Sequence, residues 1–275
     1  MSADSKLRLL ACQINIPPMT SASQRDEHLE KLAQKINEAL ADDPVDLIVL
    51  PELSSIDYSR DAFNNIKALA EPLDGPSYQC WRSVARRYSC YVSYGFARRD
   101  GDKTYISVAV VDREGELVGY YDKIHLAQYG ASIEKEFFDR GNHLFTFSVN
   151  GLKLAPIICY DIRIPELSRS LAIEYGVDLI LHCGAYYRDE SFHSWHAFAM
   201  TRALENQVFF LSLNRAGANY GHSVFCRPWM DESIPLQCFS IHDEDFCMIE
   251  IKQTEIKTAR NRYTFLKDRL KSYNL

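Results

Sequence analysis

Three residues in this sequence have the types and settings of a nucleophile, a base and a fixed cation: Cys159, Glu52 and Lys123. Cys159 closes the apolar run LAPIIC and precedes IPELSRSLAIEYG, whose Pro165 and Glu166 suit the first turn of a helix. A cysteine at such a strand-to-helix passage is expected near the positive end of a helix dipole, with a lowered thiol pKa and an exposed sulfur. The plain alternative is a buried strand-end cysteine that packs as a small hydrophobe. Glu52 follows VDLIVL (45–50) and Pro51, which cannot continue a hydrogen-bond ladder, so the strand stops there. Sites gather at the C-terminal ends of strands in open α/β sheets, and a partly desolvated carboxylate there rises toward the range of a general base. The same carboxylate could instead cap a loop or pair with a lysine. Lys123, in GYYDKIHL, either presents a charge in a cleft or runs its alkyl stem out to solvent.

Other chemistries find less support. His182, Cys183, His193 and His196 crowd together in sequence, but no HExxH or Cys/His finger spacing appears. His193 and His196 alternate with Trp195 and Phe198 in a stripe suited to core packing, so no metal is expected. The glycines form neither GxGxxG nor a phosphate loop, and no nucleotide cofactor is expected. Asp161, Arg163 and Glu174 read as local ion-pair residues.

The elements that must position these residues alternate between strand and helix. LRLLACQI (7–14) reads as a strand, and Ser21 with Gln24, or Ser23 with Asp26, forms a capping box for a helix carrying Leu29, Leu32, Ala33, Ile36 and Leu40 on one face. VDLIVL is a continuous apolar run, as expected of a strand covered on both sides. A helix near 77–89 leads to a strand, then hairpins turn at Asp112–Glu116 and Asn150–Gly151. Beyond Cys159 the pattern predicts helices at 165–175 and 192–206, and strands at 177–182, 208–213, 222–226, 236–241 and 245–251. VDLIVLPE (45–52) is echoed by VDLILHCG (177–184), which suggests two related α-then-β halves around a common core. The result is an α/β class chain in one domain spanning 1–275.

Composition agrees with a chain that buries a large core: 275 residues, 47% hydrophobic and 25% charged. A formal charge of −6 gives no whole-chain reason to expect nucleic acid. No apolar run approaches the length of a membrane span, and eight cysteines without a CxxC pair suggest reduced thiols in the cytoplasm. From about 256 onward the balance turns basic (Lys257, Arg260, Arg262, Lys267, Arg269, Lys271 against Asp268), either a solvated face or a segment lying across a partner subunit.

Taken in order, LIVLPELS around Glu52, YYDKIHL around Lys123 and PIICYDIRIPELSR around Cys159 resemble the three signature segments of the nitrilase, or carbon–nitrogen hydrolase, superfamily. The resemblance extends from ACQIN to TRALENQVFF and GHSVFCRP. It implies a four-layer α-β-β-α sandwich that pairs through its helices into a homodimer or larger assembly, without a metal or organic cofactor. It gives Glu52 the place of the base, Lys123 that of the lysine and Cys159 that of the nucleophile, with the backbone N–H of Tyr160 beside Lys123 as oxyanion donor. Glu134 takes the place of the second glutamate, with Glu136 competing because Asp139–Arg140 departs from the usual pattern. CYDIRIPELSR is similar to the Nit-type amidases, including ω-amidases acting on short dicarboxylate monoamides. Arg163 would then hold a substrate carboxylate, unless it pairs with Glu166, and Tyr58 would line the pocket. A carbamoyl-compound hydrolase or a nitrilase of the same fold remains an alternative, as does a silent binding protein.

Overall fold

The computed structural model describes residues 5–41 and 43–270. Lys6–Gln13 (β1) leads to Ala22–Leu40 (α1), which starts on the Ser21–Gln24 capping box and buries Leu29, Leu32, Ile36 and Leu40. Leu47–Val49 (β2) follows. Two short helices, Arg60–Asn64 (α2) and Ile66–Leu69 (α3), precede Pro76–Tyr88 (α4). Three strands then run antiparallel: Tyr91–Asp100 (β3), Lys103–Val111 (β4) and Leu117–Asp122 (β5). After a 3₁₀ turn at Glu134–Glu136 come the hairpin Phe147–Val149 (β6) and Leu152–Ile158 (β7), and a second 3₁₀ turn at Cys159–Arg163. Pro165–Ile173 (α5), Leu179–Cys183 (β8), Phe192–Asn206 (α6) and Phe209–Leu213 (β9) alternate next. Val224–Cys226 (β10), Gln237–Cys238 (β11), Asp245–Lys252 (β12), Gln253–Arg262 (α7) and Phe265–Asp268 (α8) complete the described chain.

The strands form two six-stranded sheets, ordered β12-β1-β2-β3-β4-β5 and β11-β10-β9-β8-β7-β6. Helix α4 packs on β3 and β4 of the first sheet with α1 beside it, and α6 on β9 and β10 of the second with α5 beside it, giving the four-layer α/β sandwich. The echoed VDLI segments are the central strands, β2 and β8, of the two parallel triplets β1-β2-β3 and β7-β8-β9. Both are wholly buried, which explains their unbroken apolar sequence. β1 closes the first sheet by pairing with β12, in register from Lys6 with Lys252 to Gln13 with Asp245.

The basic stretch beginning near 256 has Lys257, Arg260 and Arg262 in α7, which buries Ile256 and Ala259, and Lys267 in α8. Gln207 ties α7 to the end of α6 by donating to the carbonyls of Ala259 and Tyr263. Lys271 lies outside the described residues.

Candidate active site

Two strands of one sheet and one of the other end at the same place. Glu52 stands just past β2, Lys123 just past β5, and Cys159 just past β7. Lys123 Nζ donates to Glu52 Oε1 at 2.8 Å and to Glu134 Oε1 at 2.6 Å, all three side chains being fully buried. Glu134 also accepts from the Tyr58 hydroxyl at 2.7 Å and from the Ala127 N–H at 2.8 Å. Glu136, the competing acid, is exposed and paired with Arg60 at 2.9 Å.

Glu52 has a second anchor, the N–H of Ala185 at 2.7 Å from Oε2. Ala185 follows β8, and its neighbour Tyr186 is fixed by Asn214, which accepts from the Tyr186 N–H and donates to its carbonyl. Burial pushes Glu52 up to about 7, Lys123 and a hydrogen bond with Cys159 opposing the rise and Glu134 adding to it. Gly95 of β3 lies directly under this corner: a Cβ there would stand 2.3 Å from the Pro51 carbonyl and 2.7 Å from Leu53 N. The chain turns sharply just after Glu52, with Leu53 at φ +47°.

Cys159 corrects one sequence expectation. The 3₁₀ turn Cys159–Arg163 intervenes before α5 begins at Pro165, so the cysteine stands six residues ahead of that helix rather than near its positive end, and it is buried rather than exposed. Burial first, and the Glu52 carboxylate next, hold the thiol well above its ordinary pKa, Lys123 and the Ala185 N–H pulling the other way. The resting group is therefore a neutral thiol, and it reacts only if a base takes its proton. Cys159 has φ +46°, a strained backbone for a residue with a side chain.

Asp161 is buried and clamps the segment behind Lys123 to the cysteine turn. It accepts from the Tyr121 hydroxyl at 2.7 Å, from the His125 N–H at 3.0 Å and from the Ile158 N–H at 3.0 Å. The Lys123 strand is braced further by Arg98, whose two hydrogen bonds to Asp122 measure 2.9 and 2.8 Å.

Arg163 makes no ion pair with Glu166, which lies exposed on α5. Its guanidinium lies 5.0 Å from the Phe198 ring centre and 5.7 Å from that of Tyr129. Its Nε and Nη2 are buried and find no partner among the described residues. Tyr160 packs its ring against Tyr129, with centres 5.5 Å apart.

The three histidines weighed as metal ligands are engaged separately. His182 faces the Cys159 carbonyl at 2.9 Å, His196 faces the His222 carbonyl at 2.8 Å, and His193 is exposed. Sequence reasoning did not single out Ala185, Asn214 or Tyr186 for the site. Two of those contributions are backbone contacts, which leave no trace in side-chain type.

A family model described as carbon-nitrogen hydrolase matches residues 8–260. A 2-oxoglutaramate amidase of Bacillus subtilis is 31% identical over 191 residues, covering 67% of this chain and 71% of its own. The omega-amidase NIT2 of Danio rerio is 29% identical over 237 residues, covering 82% of each. Among solved structures, Nit3 of Saccharomyces cerevisiae, described as a member of branch 10 of the nitrilase superfamily, superposes with a TM-score of 0.80. It is 23% identical and covers 94% of each chain.

Proposed function

The chain belongs to the carbon–nitrogen hydrolase family, and from that premise we propose that it is an amidase that hydrolyses a short, carboxylate-bearing primary amide through a thioester on Cys159. The observation that carries this reading is the buried Glu52–Lys123–Glu134 cluster against the thiol. Similarity to relatives named 2-oxoglutaramate amidase and omega-amidase supports the amide class.

Glu52 takes the thiol proton as sulfur attacks the amide carbon. Lys123 has three N–H donors and spends two on carboxylates, so the third is left for the developing oxyanion beside the N–H of Tyr160. The tetrahedral adduct collapses as Glu52 returns its proton to the departing ammonia. Glu52 next takes a proton from water, whose oxygen attacks the thioester, and finally returns that proton to the cysteine sulfur. Glu134 orients Lys123, and Tyr58 acts as the partner of Glu134 and a wall of the site. The unpartnered Nε and Nη2 of Arg163 suit a carboxylate gripped by two parallel hydrogen bonds.

A panel of amides, nitriles and carbamoyl compounds, scored for ammonia and carbon dioxide, tests the reading. Preferred release from a dicarboxylate monoamide such as succinamate is expected. Preference for a nitrile or a carbamoyl compound over every acidic amide would overturn it. Arg163→Lys should weaken binding of acidic amides far more than of neutral ones.

Two further expectations belong to this reading. All eight cysteines are unpaired and no described helix is long and apolar enough to cross a membrane, which fits work in the cytoplasm. Half-exposed Ile173, Phe198 and Leu204 on α5 and α6, with exposed Phe265 and Leu270 nearby in sequence to α7, fit a homodimer or larger homo-oligomer joined through these helices, the basic C-terminal region reaching across. Sedimentation of only monomer at micromolar concentration would refute the assembly.

A further inference from the structure

We propose that His182 and Tyr186 are positioning residues that aim the N–H of Tyr160 at the oxyanion by pinning the Cys159 carbonyl, on the other side of the same peptide plane. In a trans peptide the carbonyl and the following N–H point in opposite directions within one plane. Fixing the oxygen of Cys159 therefore fixes the direction of the Tyr160 N–H. His182 Nε2 reaches that oxygen at 2.9 Å and the Tyr186 hydroxyl at 3.2 Å. The plane needs such a hold, because Cys159 at φ +46° keeps a conformation that its surroundings must enforce.

The protons are assigned by what each partner can do. A carbonyl only accepts, so Nε2 carries the imidazole proton and Nδ1 is left as an acceptor. Ser212 Oγ lies 2.6 Å from Nδ1 and donates to it, while accepting from the Trp195 indole N–H at 2.7 Å. A one-way relay thus runs from Trp195 on α6 through Ser212 on β9 and His182 on β8 to the cysteine turn. The strand register sets it up: His182 pairs with Ser212 on one side and with Ile157 on the other. All three relay side chains are fully buried. Burial also lowers His182 to about 4, so the ring stays neutral and the tautomer stands at any ordinary pH. Tyr186 stacks on Trp195 with ring centres 4.8 Å apart, which holds both donors in one packed unit.

This inference rests on the thioester chemistry proposed above, and the experiment separates the two. Two probes are used on the full protein. Propionaldehyde adds to the thiol: a carbon–sulfur bond forms, the carbonyl π bond opens, the thiol proton passes to Glu52, and the oxyanion so made needs its donors. Iodoacetamide alkylates the same sulfur with loss of iodide and forms no oxyanion. His182→Phe should weaken propionaldehyde binding, measured by calorimetry, by about a hundredfold, the scale of one lost oxyanion donor. Its alkylation rate should change by less than about threefold, because the thiol and Glu52 are untouched. His182→Gln, which restores an N–H donor, should recover most of the loss, and Tyr186→Phe should lose about fivefold, the scale of one neutral hydrogen bond. Parallel loss in both probes would overturn the proposal, since a disturbed thiol or a general loosening does that. Unchanged aldehyde affinity in a folded His182→Phe protein would overturn it as well. If that variant does not fold, Tyr186→Phe and Ser212→Ala decide by the same two readouts, and unchanged aldehyde affinity in both rejects the idea. Aldehyde capture needs no turnover, so failure to hydrolyse any amide would sink the amidase reading alone.

Discussion

The N–H of Ala185 meets Glu52 Oε2 at 2.7 Å, although the two residues follow strands of different sheets, β8 and β2. The end of β8 and the stretch after it thereby touch both partners of the proton transfer: Ala185 holds the base, while His182 and Tyr186 hold the backbone of the nucleophile. A base and a thiol positioned by one segment keep their spacing even if the two sheets shift slightly against each other.

Cys159 is expected to be the one essential cysteine. The other seven include buried strand residues such as Cys12 and Cys183, whose thiols are pushed far up by burial alone or nearly so. Alanine replacement of each in turn, with turnover measured, should leave activity in all but Cys159→Ala, which should lose at least about a thousandfold. Glu52→Gln should lose a similar factor while remaining folded, since the amide keeps the shape but cannot take a proton. Full turnover in either variant would remove the mechanism.

The pH profile follows from Glu52. Its carboxyl is lifted from 4.5 to about 7, so the proton-accepting form disappears below that value. The thiol and Lys123 both titrate well above their ordinary values and add no limb near neutrality. Activity as kcat/KM should therefore climb through a single midpoint near 7 and stay level toward pH 9. A flat profile between 6 and 8 would mean that Glu52 titrates as an ordinary carboxylate and that its burial is being offset. The sign for stability is the reverse. The raised pKa favours the fold most below 4.5, and that contribution fades as pH rises through about 7.

Gly95→Ala should damage catalysis more than folding. The added carbon would strike only backbone (Pro51 O, Leu53 N and the Glu52 Cα), so no flexible side chain can absorb it. Strain of roughly 1–3 kcal/mol is expected in a urea titration. Moving Glu52 by a fraction of an ångström should lower kcat about a hundredfold. Normal kcat with normal stability would show that the corner has room the geometry does not suggest.

Asp122→Asn should cost about 1–3 kcal/mol, because the Arg98 guanidinium would lose its buried partner and keep only the exposed Asp100, 3.1 Å away. Both side chains are 5% exposed, and the guanidinium is held between the rings of Tyr105 and Tyr120. Replacing both partners by apolar residues should recover much of that loss. Urea midpoints of the single and double variants check the pair. Equal destabilisation by the single and double changes would assign the effect to packing.

The strand ends that present Glu52, Lys123 and Cys159 were legible because Pro51, the aromatic run before Lys123 and the Pro165 helix start are local signals. The start of α1 followed from its Ser21–Gln24 capping box, and α4 and α6 lie within one residue of the expected 77–89 and 192–206. His182 was not legible. Its neighbours Cys183, His193 and His196 suggest metal chemistry only while they are read along the chain. The parallel register turns His182 toward Ser212 and leaves His193 at the surface. The thiol's pKa was misjudged because a helix start six residues downstream was given the weight that burial carries. Ala185 acts through its N–H, and no side-chain pattern announces a backbone donor.

The pairing of β1 with β12 also sets an order in time. Leu7 is among the first described residues to be synthesised, yet its antiparallel partner, Ile251, is made after both sheets' other strands. During synthesis one edge of β1 must wait unpaired while nearly the whole chain emerges, an exposure that invites wrong partners and slows completion of the fold. Until Ile251 arrives, the first sheet, and with it the corner that presents Glu52, lacks its closing strand. A chain interrupted before β12 would thus keep one edge of β1 unpaired.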